Sequence, residues 1–267
     1  MANLNFLAQK YKTDKFGEHY YTPIYEKFMR EKRNKKIALL EIGVGGYQAG
    51  NYSNKYLGGE SLKMWRDYFK YGLIIGLDIV KKKLDLGNRV KIHHGSQIDY
   101  FDLKKITNKY KKFDFIIDDG SHKYKDIVFS FKYLFNYLKP GGYYFIEDVG
   151  ASSYIREFGG DGFNLNKNKT VINFFKSIVD RINHREIENP YYKKNYFDMN
   201  ITEIHFYHNL IVVKKNYNKD KSTILIDNQR LVGGKSFINS RRKIKKIKYF
   251  FLYLKSRINL FLNYIIN

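Results

Sequence analysis

Apolar residues fall along this chain in short unbroken runs separated by longer stretches of mixed character. The run Ile37-Ala38-Leu39-Leu40-Glu41-Ile42 ends at Gly43, and further runs stand at Leu73 to Leu77, Val90 to His93, Phe113 to Ile117 and Tyr143 to Ile146. Continuous runs of this length read as strands buried on both faces, and most of the intervening stretches are long enough for helices. Ile127, Phe131, Leu134, Phe135 and Leu138 recur at helical spacing between Asp126 and Leu138, with Pro140-Gly141-Gly142 expected to stop that helix. Tyr25 to Arg30 reads as a helix, following the polar cluster Lys12-Thr13-Asp14-Lys15 and His19, and Glu31 to Lys36 is a charged connector. Ile204 to Val213 reads as two short strands around His208-Asn209, an antiparallel finish to the sheet. The expected fold is α/β, a doubly wound and mostly parallel seven-stranded sheet with helices on both faces.

Beyond Lys215 the pattern weakens, which divides the chain into a domain over 1–215 and a basic C-terminal extension over 216–267. Within Arg241 to Asn267 the basic residues Arg241, Arg242, Lys243, Lys245, Lys246, Lys248, Lys255 and Arg257 accompany Ile244, Ile247, Phe251, Leu254, Ile258 and Phe261, with no acid among them. The spacing predicts an amphipathic helical tail, suited to an anionic membrane surface or a protein partner, or to docking on the parent domain.

The 267 residues suffice for one α/β domain and a modest appendage, and an apolar fraction of 43% excludes a disordered chain. There is no cysteine, so disulfides, thiolate metal sites and a thiol nucleophile are excluded, and any metal must sit on oxygen or imidazole ligands. No segment has the pattern of a signal peptide or approaches the roughly 20 apolar residues of a membrane span, so a soluble cytoplasmic protein is expected, with peripheral contact at a membrane through the tail. A formal charge of +23 would ordinarily point to nucleic acid. Here the lysines are spread over the whole chain together with abundant Asn, Ile and Tyr, so nucleic acid is not the expected partner.

Two constellations carry candidate chemistry. The first, Glu41-Ile42-Gly43-Val44-Gly45-Gly46, places a glycine turn directly after the first strand, where a ligand can approach the backbone closely. A tight strand exit uses the same residues. A dinucleotide fingerprint would need glycine at position 48, which is Gln48, and a ribose-binding acid about 20 residues on, whereas the acid closing the second strand is the more distant Asp78. Asp78 can still accept hydrogen bonds from an adenosine ribose, although a surface acid at a strand end gives the same pattern. The second constellation is Asp118-Asp119-Gly120-Ser121-His122 after the fourth strand, with Glu147-Asp148 after the fifth. Carboxyl ends of parallel strands form the ligand crevice of an open α/β sheet. Acids converging there would repel one another without a cation, and a carboxylate cluster without sulfur suits Mg²⁺ or another hard divalent ion. Helix capping by Asp118 and Asp148, with His122 at a helix start, is the simpler alternative for the individual residues.

With these residues placed, the chain resembles the macrolide-tailoring sugar O-methyltransferases of the mycinose type and related methyltransferases from polysaccharide gene clusters. The resemblance runs from about Leu7 to about Lys215 and includes Thr13-Asp14-Lys15, the loop from Leu40 to Gly46, and Gly58-Gly59-Glu60-Ser61-Leu62-Lys63-Met64-Trp65. It continues through Gly76-Leu77-Asp78, the Asp118 to His122 segment, Pro140-Gly141-Gly142 and Ile146-Glu147-Asp148. It implies a Rossmann-like class I methyltransferase fold, S-adenosylmethionine as cofactor, and a divalent metal held by Asp119, Glu147 and Asp148. His122 would be the general base. The implied cofactor pocket uses Glu41, Gly43, Gly45, Asp78 and Gln97, with Ser61 and Trp65 lining the crevice, although Trp65 also has the bulk of a core anchor. Asp118 would orient the loop or face the cofactor.

The expected reaction is in-line methyl transfer to a hydroxyl of a sugar or similar small acceptor. The alternatives are a phosphorylated or phosphoramidate-type small molecule or RNA as acceptor, or a non-catalytic scaffold that kept the fold. The N-terminal accessory domain of the macrolide enzyme has no counterpart here, so macrolide specificity and that enzyme's assembly do not transfer, and a homo-oligomer stays open.

Overall fold

In a computed structural model, the described residues are 3–46, 57–187, 189, 191–220 and 250–258. They form one seven-stranded sheet in the order β3-β2-β1-β4-β5-β7-β6. The strands are β1 (Ala38–Ile42), β2 (Leu73–Asp78), β3 (Val90–His94), β4 (Phe113–Asp118), β5 (Leu138–Glu147), β6 (Ile201–Tyr207) and β7 (Leu210–Lys215). The first five run parallel, and the β6–β7 hairpin closes the sheet antiparallel to β5. All seven strands anticipated from the apolar runs are present.

Helices α1 (Leu4–Tyr11), α2 (Thr22–Met29) and α3 (Glu60–Tyr68) supply Leu4, Leu7, Tyr25, Met29, Leu62, Trp65 and Tyr68 to a core that includes Leu39, Ile74, Phe115, Phe145 and Val212 from the strands. Trp65 is fully buried and meets Tyr25 edge to face at 5.0 Å, so it is a core anchor and not a wall of the crevice. Further helices are α4 (Tyr100–Tyr110), α5 (Tyr124–Leu134), α6 (Val149–Tyr154) and α7 (Val171–Ser177). Asp99 caps α4 by accepting from the amides of Phe101 and Asp102 at 2.7 and 3.0 Å. Phe131 of α5 packs at 4.9 Å against Phe175 of α7 and at 5.1 Å against Tyr144 of β5.

One boundary differs from the pattern-based reading. The helix ends at Leu134, a single 3₁₀ turn covers Phe135–Tyr137, and Leu138 is already extended as the first residue of β5. Pro140-Gly141-Gly142 therefore lies inside a strand. Pairing with β4 shifts register between Phe113 and Phe115, and that irregularity accommodates a residue with no amide to donate.

The chain divides into two compact units, residues 1–179 with 200–217, and residues 180–199 with 218–267. In the second, Asp198 is fully buried and accepts from Tyr192 at 2.8 Å and Arg181 at 3.3 Å. Residues 250–258 are helical, and the rest of the anticipated basic tail lies outside the described residues. Among the described residues, no helix is long and apolar enough to cross a membrane.

Candidate active site

Register brings the chemistry to one end of the sheet. Ile42 pairs with Leu77 on one side and Asp118 on the other, and Asp118 pairs with Ile146, so Gly43, Asp78, Asp119 and Glu147 all emerge at the same edge. Antiparallel pairing of Glu147 with Leu210 sets the β6–β7 turn beside them. Five non-glycine residues among those described have positive φ. Lys12 and Lys111 end α1 and α4, while His122, Asp148 and Asn209 gather at this edge. Left-handed backbone in such residues costs about 1 kcal/mol or more and concentrates at functional sites.

The glycine loop is shaped for close approach. Gly43 has φ of 88°, and a Cβ there would stand 2.0 Å from the carbonyl oxygen of Asp119. Asp78 organises the loop from the neighbouring strand, with Oδ2 accepting from the Val44 amide at 2.9 Å and Oδ1 from the Val80 amide at 2.7 Å. Ser61 donates to Glu41 Oε2 at 2.8 Å. Thr13, Asp14, Lys15, Gly43, Val44, Gly45, Glu60, Ser61 and Asp119 line a cavity that opens beside this loop.

Gln97 and Asp118 work from beneath. Asp118 is buried and accepts from Gln97 Nε2 at 3.2 Å, from Tyr144 at 3.2 Å and from Ser130. Burial pushes its carboxyl up to about 6, against hydrogen bonds that pull the other way. Gln97 Oε1 in turn accepts from the Ser121 amide at 2.8 Å. This chain of contacts fixes the loop carrying Asp119 and His122. Of the two roles anticipated for Asp118, the structure supports orienting the loop.

The acids and the imidazole do converge. Single ligand atoms of Asp119, His122 and Asp148 lie within 4.8 Å of one another, and His122 Nε2 is 3.9 Å from both Asp119 Oδ1 and Asp148 Oδ2. Neither acid is occupied with helix capping: Asp148 makes no side-chain cap to α6, and the partners of Asp118 are side chains of β5, α5 and Gln97. His122 Nδ1 is buried and without a partner.

Glu147 sits differently from the other two expected ligands. It is buried, accepting from Tyr25 and from Lys15, whose Nζ stands 2.8 Å from both of its oxygens. The same ammonium is 2.8 Å from Asp119 Oδ2 and 3.4 Å from Glu41 Oε1. Desolvation disfavours a buried ammonium, but the carboxylates of Asp119, Glu147 and Glu41 outweigh it and hold Lys15 well above its usual range. Burial, and then Asp119, push Glu147 well up. One cation thus faces three carboxyl groups, with Asp148 nearby, and this oxygen-rich cluster without sulfur fits a hard divalent ion.

Lys15, Tyr21 and Asn209 are the residues whose roles the sequence did not reveal. In a chain with 49 Lys and Arg, a buried lysine has no compositional signature. The signals present were the polar cluster before the first strand and an Asn in a two-residue turn.

No protein-family model matches the chain. It is 39% identical over 220 residues to the demethylmacrocin O-methyltransferase of Streptomyces fradiae, covering 82% of this chain and 54% of the relative. The same figures describe its likeness to the mycinamicin VI 2''-O-methyltransferase of Micromonospora griseorubida. A tetracenomycin rhamnosyl 3'-O-methyltransferase of Streptomyces olivaceus is 34% identical over 221 residues, covering 82% of this chain and 55% of that one. The chain therefore spans about half the length of the curated relatives it matches. Among solved structures, the methyltransferase MycE of the mycinamycin pathway, in complex with Mg and SAH, superposes with a TM-score of 0.76 at 38% identity, covering 84% of this chain and 57% of that one.

Proposed function

Over the aligned 220 residues this chain is a relative of the macrolide-sugar and tetracenomycin-sugar O-methyltransferases and has the class I methyltransferase fold, and from that premise we propose that it methylates a sugar hydroxyl using S-adenosylmethionine and a divalent metal. The observation that carries this reading is the meeting of Asp119, His122 and Asp148 beside a cavity lined by the glycine loop.

The cofactor would lie against Gly43 and Gly45, where side chains are absent, with Ser61, Asp78 and Gln97 near it. Ile79 and Ile98, exposed and adjacent in sequence to Asp78 and Gln97, offer apolar surface for the adenine. Bound there, S-adenosylmethionine supplies an electrophilic methyl group. A metal held by Asp119 and Asp148, with Glu147 behind them, would lower the cost of ionising the acceptor hydroxyl. His122 would accept the hydroxyl proton, a role supported by its Nε2 lying 3.9 Å from each of the two carboxylates and by Gln97 holding the amide of the preceding Ser121. Lys15 joins the cofactor floor at Glu41 to the acids at Asp119 and Glu147, which holds both halves of the site in one geometry.

Relatives that act on natural-product sugars support a sugar acceptor, and a nucleotide sugar or capsule-type oligosaccharide is the class we favour. The test is transfer of label from S-adenosylmethionine to a panel of such acceptors with Mg²⁺. For the extension, the exposed Phe250, Phe251, Leu252, Leu254 and Ile258, beside Lys255 and Arg257, support contact with an anionic membrane from the cytoplasmic side.

A further inference from the structure

Asp148 is held from behind by two residues remote from it in sequence. Its Oδ1 accepts from the Tyr21 hydroxyl at 2.6 Å and from Asn209 Nδ2 at 2.7 Å. Its Oδ2 is the oxygen turned toward His122 Nε2, at 3.9 Å. Asn209 does more than donate once. Its own Oδ1 accepts from the Gly150 amide at 2.7 Å, its carbonyl accepts from the Val149 amide at 3.4 Å, and that carbonyl also receives the Tyr21 hydroxyl at 3.2 Å. Asp148 and Asn209 both have left-handed backbone, with φ of 50° and 60°. The turn of the β6–β7 hairpin therefore fixes the backbone that follows Asp148 as well as one oxygen of its carboxylate.

Asp119 is arranged in the same way. Its Oδ2 is tied to Lys15 at 2.8 Å and its Oδ1 is turned toward His122. Each carboxylate thus has one oxygen withdrawn into the protein and one presented to the same small space. A carboxylate with one oxygen saturated by two strong donors can offer only the other to an ion, in a fixed direction.

We propose that Tyr21 and Asn209 are positioning residues for the divalent ion, which hold Asp148 so that Oδ2 alone serves as its metal-facing oxygen. The proposal rests on the metal-assisted reading above and assigns a task to the antiparallel hairpin at that end of the sheet. Neither residue need touch the ion, the cofactor or the acceptor.

The test uses the full chain saturated with S-adenosylhomocysteine, titrated with Mn²⁺ by calorimetry, with the bound ion observed by paramagnetic resonance. Tyr21→Phe removes one donor, and Asn209→Asp removes the other while keeping the acceptor for the Gly150 amide. Each variant should bind Mn²⁺ about tenfold or more weakly, as is usual when the partner of a metal ligand is lost. The resonance spectrum should broaden, and S-adenosylhomocysteine affinity measured without metal should stay within twofold. Mn²⁺ affinity within twofold of the wild type in folded Tyr21→Phe would overturn the proposal. So would an equal loss of metal and cofactor affinity, which marks a general disturbance of the site. Failure of the wild type to bind any divalent ion would defeat the metal reading itself, an outcome distinct from unchanged binding in the variants.

Discussion

Lys15 Nζ stands 2.8 Å from both carboxylate oxygens of Glu147, across 132 positions of sequence, and both residues are buried. The pair joins the loop between α1 and α2 to the end of β5. It does so at the point where the proposed cofactor and metal sites meet.

Removal of that ammonium should therefore be felt in stability before it is felt in chemistry. Lys15→Met leaves Glu41, Asp119 and Glu147 facing one another without a counter-charge, and breaking a buried pair on one side costs about 3–5 kcal/mol. Urea denaturation should show a loss of that order, and added Mg²⁺ should raise the thermal midpoint of the variant more than that of the wild type. A loss below about 1 kcal/mol would show that the three acids are neutral or solvated.

Asp119 and His122 should fail in different ways. Asp119→Ala removes a charged donor, so activity should fall and partly recover at high Mg²⁺. His122→Ala should leave metal and cofactor affinity nearly intact while single-turnover methyl transfer drops by roughly 10² to 10⁴. Near-normal turnover in a folded His122→Ala protein would exclude it as the base.

Asp118 gives the site a pH signature. Its folded pKa of about 6 lies above the ordinary 3.8, so the folded protein binds this proton more tightly than the unfolded chain does. The associated stabilisation is complete below about pH 4, is lost as pH rises through about 6, and amounts to at most about 3 kcal/mol. Asp118→Asn cannot ionise, so the stability of the wild type relative to this variant should decline between pH 4 and pH 7 in urea titrations. A difference constant over that range would place the Asp118 titration elsewhere.

The C-terminal extension should be dispensable for chemistry. Truncation after Ser240 is expected to preserve turnover on a soluble acceptor and to reduce association with anionic liposomes in co-sedimentation. Equal association with and without residues 241–267 would remove the membrane reading.

Sequence pattern carried the inner strands because they are buried on both faces and read as apolar runs, from Leu39 and Leu40 in β1 to Ile211 and Val212 in β7, while the edge strands β3 and β6 are only partly buried. It misplaced the end of α5, because Pro140 is as compatible with an irregular strand as with a helix stop, and Leu138 is buried in either case. Candidate residues at strand ends were legible from topology alone, since register fixes Asp78, Asp119 and Glu147 at one edge. Which oxygen faces which partner was not. Lys15 meets Asp119 from 104 positions away and Asn209 meets Asp148 from 61. Nothing in local periodicity encodes such pairings, and they separate Glu147, held by Lys15 and Tyr25, from Asp119 and Asp148, each with an oxygen turned toward His122.

Metal-assisted transfer to a sugar hydroxyl is tested most directly by incubating the protein with methyl-labelled S-adenosylmethionine, Mg²⁺ and a panel of nucleotide sugars and oligosaccharides, with and without chelator. The predicted result is label on a hydroxyl oxygen of one sugar class, abolished by chelation and restored by added Mg²⁺. Transfer at full rate in chelator would contradict the metal-assisted mechanism. Label found only on RNA, or on no acceptor despite tight cofactor binding, would contradict the assignment of a sugar hydroxyl as the methyl acceptor.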